Sequence, residues 1–413
     1  MTARRAGGRS SGLTTVVALA FAWLFVSTLW IVATDQAQYQ WDFNTYFLAG
    51  KAFAAGDDPY LLASLQKQAS QPIDKPFLYP PLTLHVFAAM ASMPREAAYT
   101  LWLLAKLAML AGLLWIWHRD LVDLRPAVLT VPFMVLAFNS TLLWDLEAGN
   151  VAIFEQFILW CGFAALFRGR NWEFAICVAL AAQFKLMPQV LSIALLLVAP
   201  ARGLKPFLAS WAIFGSSLAL GALMHPALTA EFFRAAAAVD ERGHHTPCLL
   251  SLIRDVFDHA RGSAAGTSSK TALVVYGLFA LAICWRTAEV VLRRHVQERP
   301  LPPRFIAALL CIGFAVAAPR FKSYAYVQLL GPALYVLTLP VGSGTPLVDL
   351  ALICAVFPGI YNPMPAHFLL EVFHDYFPWI AAVILWLRAV GFARTSEPQG
   401  EPAASGAGEL PGA

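Results

Sequence analysis

Apolar runs of bilayer-crossing length recur along this chain, and they decide what it can fold into. A spanning helix needs about 20 predominantly apolar residues, with about 17 to 25 tolerated. Candidates occupy 13–33, 97–117, 126–143, 151–167, 206–224, 271–291, 302–318, 323–340, 346–360 and 376–392. Two further segments are incomplete. Residues 78–93 are bounded by Pro80, Pro81 and Pro94, and 174–199 is too long for one ordinary span and is interrupted by Lys185 and Pro188. The expected fold class is an all-α polytopic membrane protein with about ten full crossings, a half-crossing and a hairpin bent at Lys185. A single transmembrane domain over 1–392 would hold them all. Only 13% of the residues are charged, about half the share of a soluble domain.

The 29 basic and 25 acidic side chains leave a net charge of +4, too balanced for a nucleic-acid binder. Six cysteines are scattered without a C-x-x-C pair, which implies neither a disulfide scaffold nor a zinc site. The first apolar run, Leu13 to Ala33, follows Arg4, Arg5 and Arg9. It exceeds a signal-peptide core and reads as a retained anchor. Short cytoplasmic loops collect Lys and Arg. One parity assumption puts the amino-terminus, Arg119 with Arg125, Arg168 with Arg170, Arg202 with Lys205, Arg286 to Arg299, and Arg388 with Arg394 on the cytoplasmic side. The stretches 34–77, 144–150, the Lys185 bend, 225–270, 319–324 and 361–375 then face outward. They are acidic, aromatic and rich in His. Both termini would be cytoplasmic in a cell-membrane protein with an extracytoplasmic active face, and the Gly, Pro and Ala tail 393–413 is expected to be disordered.

In the first outer loop, 34–77, helical spacing puts Phe43, Phe47 and Ala54 near one stripe and Asp42, Tyr46, Ala49 and Phe53 on another, which predicts a helix lying on the bilayer surface. Asp42 stands in its first turn, as an N-cap or as a catalytic carboxylate. A second surface helix is expected over 228–240 in the large outer loop 225–270, through Leu228, Phe232, Ala235 and Val239.

From Asp42, Tyr46, Ala49, Gly56, Pro59 and Tyr60, through Tyr79–Pro80–Pro81 and Gly149–Asn150, to Lys185 with Pro188, the chain resembles the polyprenol-phosphate-mannose-dependent alpha-(1,2)-mannosyltransferases of glycosyltransferase family 87 (the DUF2029 group), in the GT-C superfamily. The likeness lies in the order of short motifs along most of the membrane region. It departs from the family's Gly-Gln-x-Asn, since here the segment reads Gly149, Asn150, Val151, Ala152. The resemblance implies a GT-C-like enzyme that uses a lipid-phosphate sugar on the outer face, with an acidic residue of the first outer loop as base. Asp42 is the matching position, and Tyr46, Tyr79 and Asn150 join the candidate site.

The chemistry can be argued separately. A sugar joined to a lipid phosphate already carries a weakly basic leaving group, so it needs cations rather than a proton donor. A base takes the acceptor hydroxyl proton as its oxygen attacks the anomeric carbon, and one displacement inverts the configuration. The expected function is transfer of a hexose, mannose first, from a polyprenyl phosphate to a glycan or glycolipid acceptor, without a cofactor or metal. A transporter or flippase of a lipid-linked saccharide is the alternative, using similar cations without a base.

Lys185 is either a phosphate partner or a snorkelling side chain at the hairpin bend. Arg320 and Lys322 form either a phosphate clamp or a headgroup anchor. His244 and His245 precede Cys248, but the spacing matches no established metal site, leaving hydrogen bonding to substrate or loop packing. Tyr79, Pro80 and Pro81 are expected in the first turn of the half-crossing helix. Asp145 and Glu147 face outward, in contact with acceptor hydroxyls or merely solvated. Lys106 and Glu155 lie within spans, as partners of each other or of the donor. Asn139–Ser140–Thr141 matches a glycosylation sequon inside an apolar span. Asp57 and Asp58 read as a turn. The parity argument predicts that cysteines substituted at Asp57 and Arg293, in a background lacking the native six, react with an impermeant thiol reagent from opposite sides of the membrane. Labelling from one side would overturn it.

Overall fold

The computed structural model describes residues 10–35, 38–122, 127–261, 270–339 and 368–395. Every regular element among them is helical. In chain order they are α1 (Ser10–Thr34), α2 (Trp41–Ala54), α3 (Leu62–Gln68), α4 (Thr83–Ala91), α5 (Arg95–Asp120), α6 (Ala127–Ala148), α7 (Ala152–Phe167), α8 (Asn171–Ala181), a 3₁₀ segment Met187–Ile193 running into α9 (Ala194–Val198), and α10 (Pro200–Met224). Then come α11 (Pro226–Ala238), α12 (Leu249–Arg261), α13 (Lys270–Val296), α14 (Pro303–Ala317), a 3₁₀ segment Ser323–Leu329 continuing into α15 (Leu330–Thr338), and α16 (Phe368–Thr395).

Where side chains are described, four helices are long and apolar enough to cross a bilayer: α5, α10, α13 and α16. Counting the bent pair α6 and α7 as one broken span makes five. Their outward faces carry exposed Leu101, Leu104, Trp115, Leu208, Leu278, Trp285 and Leu387, a surface suited to lipid and costly in water. The α5 sequence shows why the helix sits as it does. Trp102, Lys106, Leu110, Leu113 and Trp117 recur every three or four residues and are all buried, while Leu101, Leu104 and Trp115 lie on the opposite side.

The apolar runs are interrupted at the polar residues that lie between and within them. The runs 126–143 and 151–167 form α6 and α7, which meet at 111° across Gly149–Asn150. The run 174–199 becomes α8, a break at 182–186 containing Lys185, and Met187–Val198. The runs 302–318 and 323–340 become α14 and the 3₁₀–α15 unit, separated at 318–322. The α6 helix is itself broken at Ala137–Ser140, where Phe138, Asn139 and Ser140 have positive φ. The sequon thus lies in a kink rather than a regular span, and Thr141 Oγ1 donates to Ser323 O at 2.6 Å. The expected span 346–360 lies outside the described residues, as does the expected tail beyond Thr395. Ala393 to Thr395 continue α16 instead of starting the tail.

The α2 helix corrects the surface expectation. Asp42, Phe43, Thr45, Tyr46, Phe47, Leu48, Ala49, Gly50 and Ala52 are all buried, because α4 packs along the helix and Phe43 stacks on Trp102 of α5 at 4.7 Å. In contrast, α11 is one-sided as expected: Phe232 is buried against the Tyr60–Phe77 cluster and Phe233 is exposed. The prolines before α4 lie outside its first turn, since the helix begins at Thr83, whose backbone N–H and hydroxyl both donate to Pro80 O. Asp58 does form the expected turn, with Oδ1 accepting the Tyr60 N–H at 2.9 Å.

The α2–α4 contact is close because residue 50 has no Cβ. One built there would stand 2.3 Å from the Phe87 carbonyl oxygen, a backbone atom without freedom to retreat. Gly50→Ala should therefore destabilise the protein by about 1–3 kcal/mol, as overpacking does, read as a lower Tm in detergent. An unchanged Tm would mean that α2 and α4 are not locked in this register.

Candidate active site

A cavity of about 400 Å³ opens between two apolar clusters, one built around α2 and α4 and the other around α5 to α7 and α14. Its lining comes from α2 (Asp42, Thr45, Tyr46), the strap before α4 (Lys75, Tyr79, Pro80), α7 (Glu155), the break at 184–188, α11 with Glu241, and the break at 319–325. Irregular backbone at membrane depth is tolerated where it lines a cavity. The breaks at 182–186 and 318–322 do so, and the α6–α7 bend supplies Asn150 from behind Asp42.

Asp42 is the second residue of α2. Gln40, in the left-handed region at φ 57°, takes the N-cap position without a side-chain cap bond, which corrects the N-cap reading of Asp42. The first helical turn still favours a carboxylate there through the backbone dipole. Asn150 Nδ2 donates to Asp42 Oδ2 at 2.7 Å, to the Tyr46 hydroxyl at 2.9 Å and to the Tyr79 hydroxyl at 3.2 Å. The two tyrosine hydroxyls are 2.6 Å apart, and Tyr60 OH donates to Tyr79 O at 2.7 Å. Burial first, then the Asp42 charge, pushes the Tyr79 hydroxyl well above its ordinary range, so it stays protonated. Gly149 permits this assembly. Its φ is +67°, and a Cβ there would come within 3.0–3.1 Å of Gln40 and Phe43 at the start of α2.

Four cations line the cavity. Lys185 pairs with Glu155 at 3.3 Å and is 28% exposed, so it faces the cavity rather than snorkelling away from it. Arg320 and Lys322 bind the two oxygens of one carboxylate, Glu241, at 2.8 and 2.9 Å. Lys75, which no motif marked, lies 4.8 Å from the Trp41 ring centroid. Burial lowers its pKa, and Lys322 adds to that, while Asp42 opposes it. Against these four stand the carboxylates Asp42, Glu155 and Glu241, leaving one net positive charge. The Tyr324 ring lies 5.6 Å from both Lys185 and Lys322.

The cavity thus unites Asp42, Tyr46, Tyr79, Lys185, Arg320 and Lys322, with Asn150 directly behind. His244 and His245 are not among its lining residues. Their rings lie 3.9 Å apart, and Ser323 Oγ donates to the His244 carbonyl, fixing this loop beside the 319–325 break. Burial, then His244, Lys75 and Lys322, lowers the His245 pKa, so it is neutral at pH 7. Cys248 is buried, with Sγ near Ser251 Oγ and Pro319 O. The expected pairing of Lys106 with Glu155 is not formed: Lys106 pairs with Asp145 at 2.7 Å and Glu155 with Lys185. Asp145, expected to face outward, is fully buried. Lys75, Glu241 and Tyr324 were missed as site residues because each is a single polar or aromatic letter in a loop, without periodicity or spacing.

A bundle of apolar helices enclosing a charged cavity belongs to a membrane-embedded protein. The family model of glycosyltransferase family 87 matches residues 77–319, more than half of the sequence, and the chain belongs to that family of glycosyltransferases. No curated protein and no solved structure matches it. Tyr79, Asn150, Lys185, Glu241, His244 and His245 fall within the matched stretch. Arg320 and Lys322 follow it, and Asp42 precedes it, so the assignment of Asp42 rests on its position in the cavity.

Burial raises the Glu241 pKa, but Lys322 and Arg320 outweigh it and hold the carboxyl below its ordinary value. Its ionic contact is therefore fully present above that value and is lost only as pH falls through the lowered pKa. At neutral pH Glu241 therefore occupies Arg320 and Lys322, and an anion brought to them would have to compete with it. Glu241→Gln should tighten binding of a short-chain prenyl phosphate by about tenfold, the scale of one charge-assisted hydrogen bond, measured by calorimetry in detergent. Weaker binding would show that Glu241 supports the site instead of competing with its ligand.

Proposed function

We propose that this family 87 glycosyltransferase transfers a hexose, mannose by family resemblance, from a polyprenyl phosphate to a glycan or glycolipid acceptor on the extracytoplasmic side of the cell membrane. The GT-C-like architecture with about ten crossings and cytoplasmic termini belongs to the same proposal. The observation that carries the reading is the shared cavity, in which the Asp42 carboxylate, held by the Asn150 amide, shares the lining with four cations.

Asp42 acts as the base. Asn150 engages Oδ2, and an ionised carboxylate has acceptor capacity for further donors, among them the acceptor's hydroxyl. The hydroxyl proton passes to Asp42 while the sugar oxygen attacks the anomeric carbon from the face opposite the phosphate. The bond from that carbon to the phosphate oxygen breaks, and configuration inverts. Charge then grows on the departing lipid phosphate. Lys75, Lys185, Arg320 and Lys322 stabilise it more strongly than the singly charged donor, which is the differential that accelerates the step. A phosphate also restores the protonated state that burial disfavours in Lys75. Tyr46 and Tyr79 hold Asn150 and border the cavity where the acceptor would lie.

Asp42→Asn preserves size but cannot take a proton. Its kcat with labelled polyprenyl-phosphate mannose should fall by about 10²- to 10⁴-fold, with the glucose and arabinose donors run in parallel to test sugar choice. Undiminished turnover would overturn the role of Asp42. Translocation of the sugar lipid across vesicles without glycosidic product would favour the flippase alternative.

A further inference from the structure

We propose that Lys106, buried in α5 outside the lining of the cavity, is a positioning residue that sets the Asp42 carboxylate through the turn 145–150. The proposal rests on the reading of Asp42 as base. Lys106 and Asp145 side chains are both 0% exposed. The Lys106 ammonium donates to Asp145 O at 2.7 Å and to Asn150 O at 2.6 Å, and forms an ion pair with Asp145 Oδ2 at 2.7 Å. One turn earlier on the same helix, Trp102 Nε1 donates to Gly149 O at 2.8 Å. Two donors spaced by one helical turn thus hold three successive parts of the α6–α7 bend.

Asn150 transmits that hold. Its carbonyl is bound by Lys106, its side-chain Oδ1 accepts the Ala152 N–H at 3.0 Å, and its Nδ2 donates to Asp42 at 2.7 Å. Main chain and side chain are therefore fixed at once, leaving the amide little freedom relative to Asp42. Stability alone does not explain the pair. A buried ion pair loses solvation that its attraction only partly returns, and an apolar pair of similar volume commonly serves as well or better. What an apolar pair lacks is directionality toward two carbonyls of a bend, and the bend carries the amide.

Lys106→Met with Asp145→Leu removes both charges together, so neither is left buried without its counter-charge, while the Asn150 carbonyl loses its donor. The double variant should fold with a Tm at most a few degrees below the parent's. Its kcat should fall by about 10²-fold, the scale of a misplaced catalytic group, with the donor KM changed less than about twofold. The acid limb of its kcat–pH profile should move upward, because a carboxylate that loses a donor binds protons more readily. Asn150→Ala should reproduce both effects. If the double variant does not fold, Lys106→Gln with Asp145→Asn takes its place: the shorter amide carries two hydrogens for the ammonium's three and holds the bend less completely, so kcat should fall in the same direction. A folded double variant with the parent's kcat and pH profile would overturn the proposal. Asp42→Asn, measured alongside, separates the two claims. A dead Asp42→Asn beside a fully active double variant refutes only Lys106, whereas an active Asp42→Asn refutes the base itself.

Discussion

The hydrogen bond from the Asn150 amide to the Asp42 carboxylate is the interaction on which this site depends. It joins the first turn of α2 to the bend between α6 and α7, 108 positions apart in sequence. A buried carboxylate without a donor would be costly. The Asn150 amide supplies that donor and is itself held by the bend. Gly149 lets the bend approach α2, Trp102 and Lys106 tie it to α5, and Tyr46 and Tyr79 close the ring of hydroxyls around the amide.

The second organising fact is that helix interruptions converge. An apolar chain in a membrane must satisfy its backbone groups internally, which favours unbroken helices. Here the breaks at 182–186 and 318–322 line one cavity, and the bend at 149–151 stands behind it. These three interruptions also deliver polar groups: Asn150 from the first bend, Lys185 from the next break, Arg320 and Lys322 from the last. The charges come with counter-charges. Glu155 holds Lys185, and Glu241 holds Arg320 with Lys322, so three of the four cavity cations are paired.

Much of this was legible in the residues. The positions of apolar runs gave the helices, since α5, α10 and α13 coincide with expected spans. The charge of Lys185 within an apolar stretch marked a break, and the hydrophilic stretch 144–150 separated the two runs that became α6 and α7. Helical spacing identified α11 as one-sided, because a helix that covers protein with one face and meets its surroundings with the other writes that asymmetry into its own stripe. The same reasoning failed for α2. Its two stripes are both buried, and a helix enclosed by α4, α5 and α6 differs from a surface helix only in what lies opposite its second face.

The chain alone therefore determined the class of solvent it folds in, the approximate helices, and the chemical kinds available to the site, because hydropathy and local propensity act over neighbouring residues. Only the tertiary structure decided which charges meet. Lys106 lies 39 positions from Asp145, and Glu241 lies 79 and 81 from Arg320 and Lys322. Lys75, at a position with no periodicity to betray it, enters the cavity beside them. Ion pairing depends on distances through space, which are fixed by how helices pack, and packing is a property of the whole set of side chains rather than of any one segment.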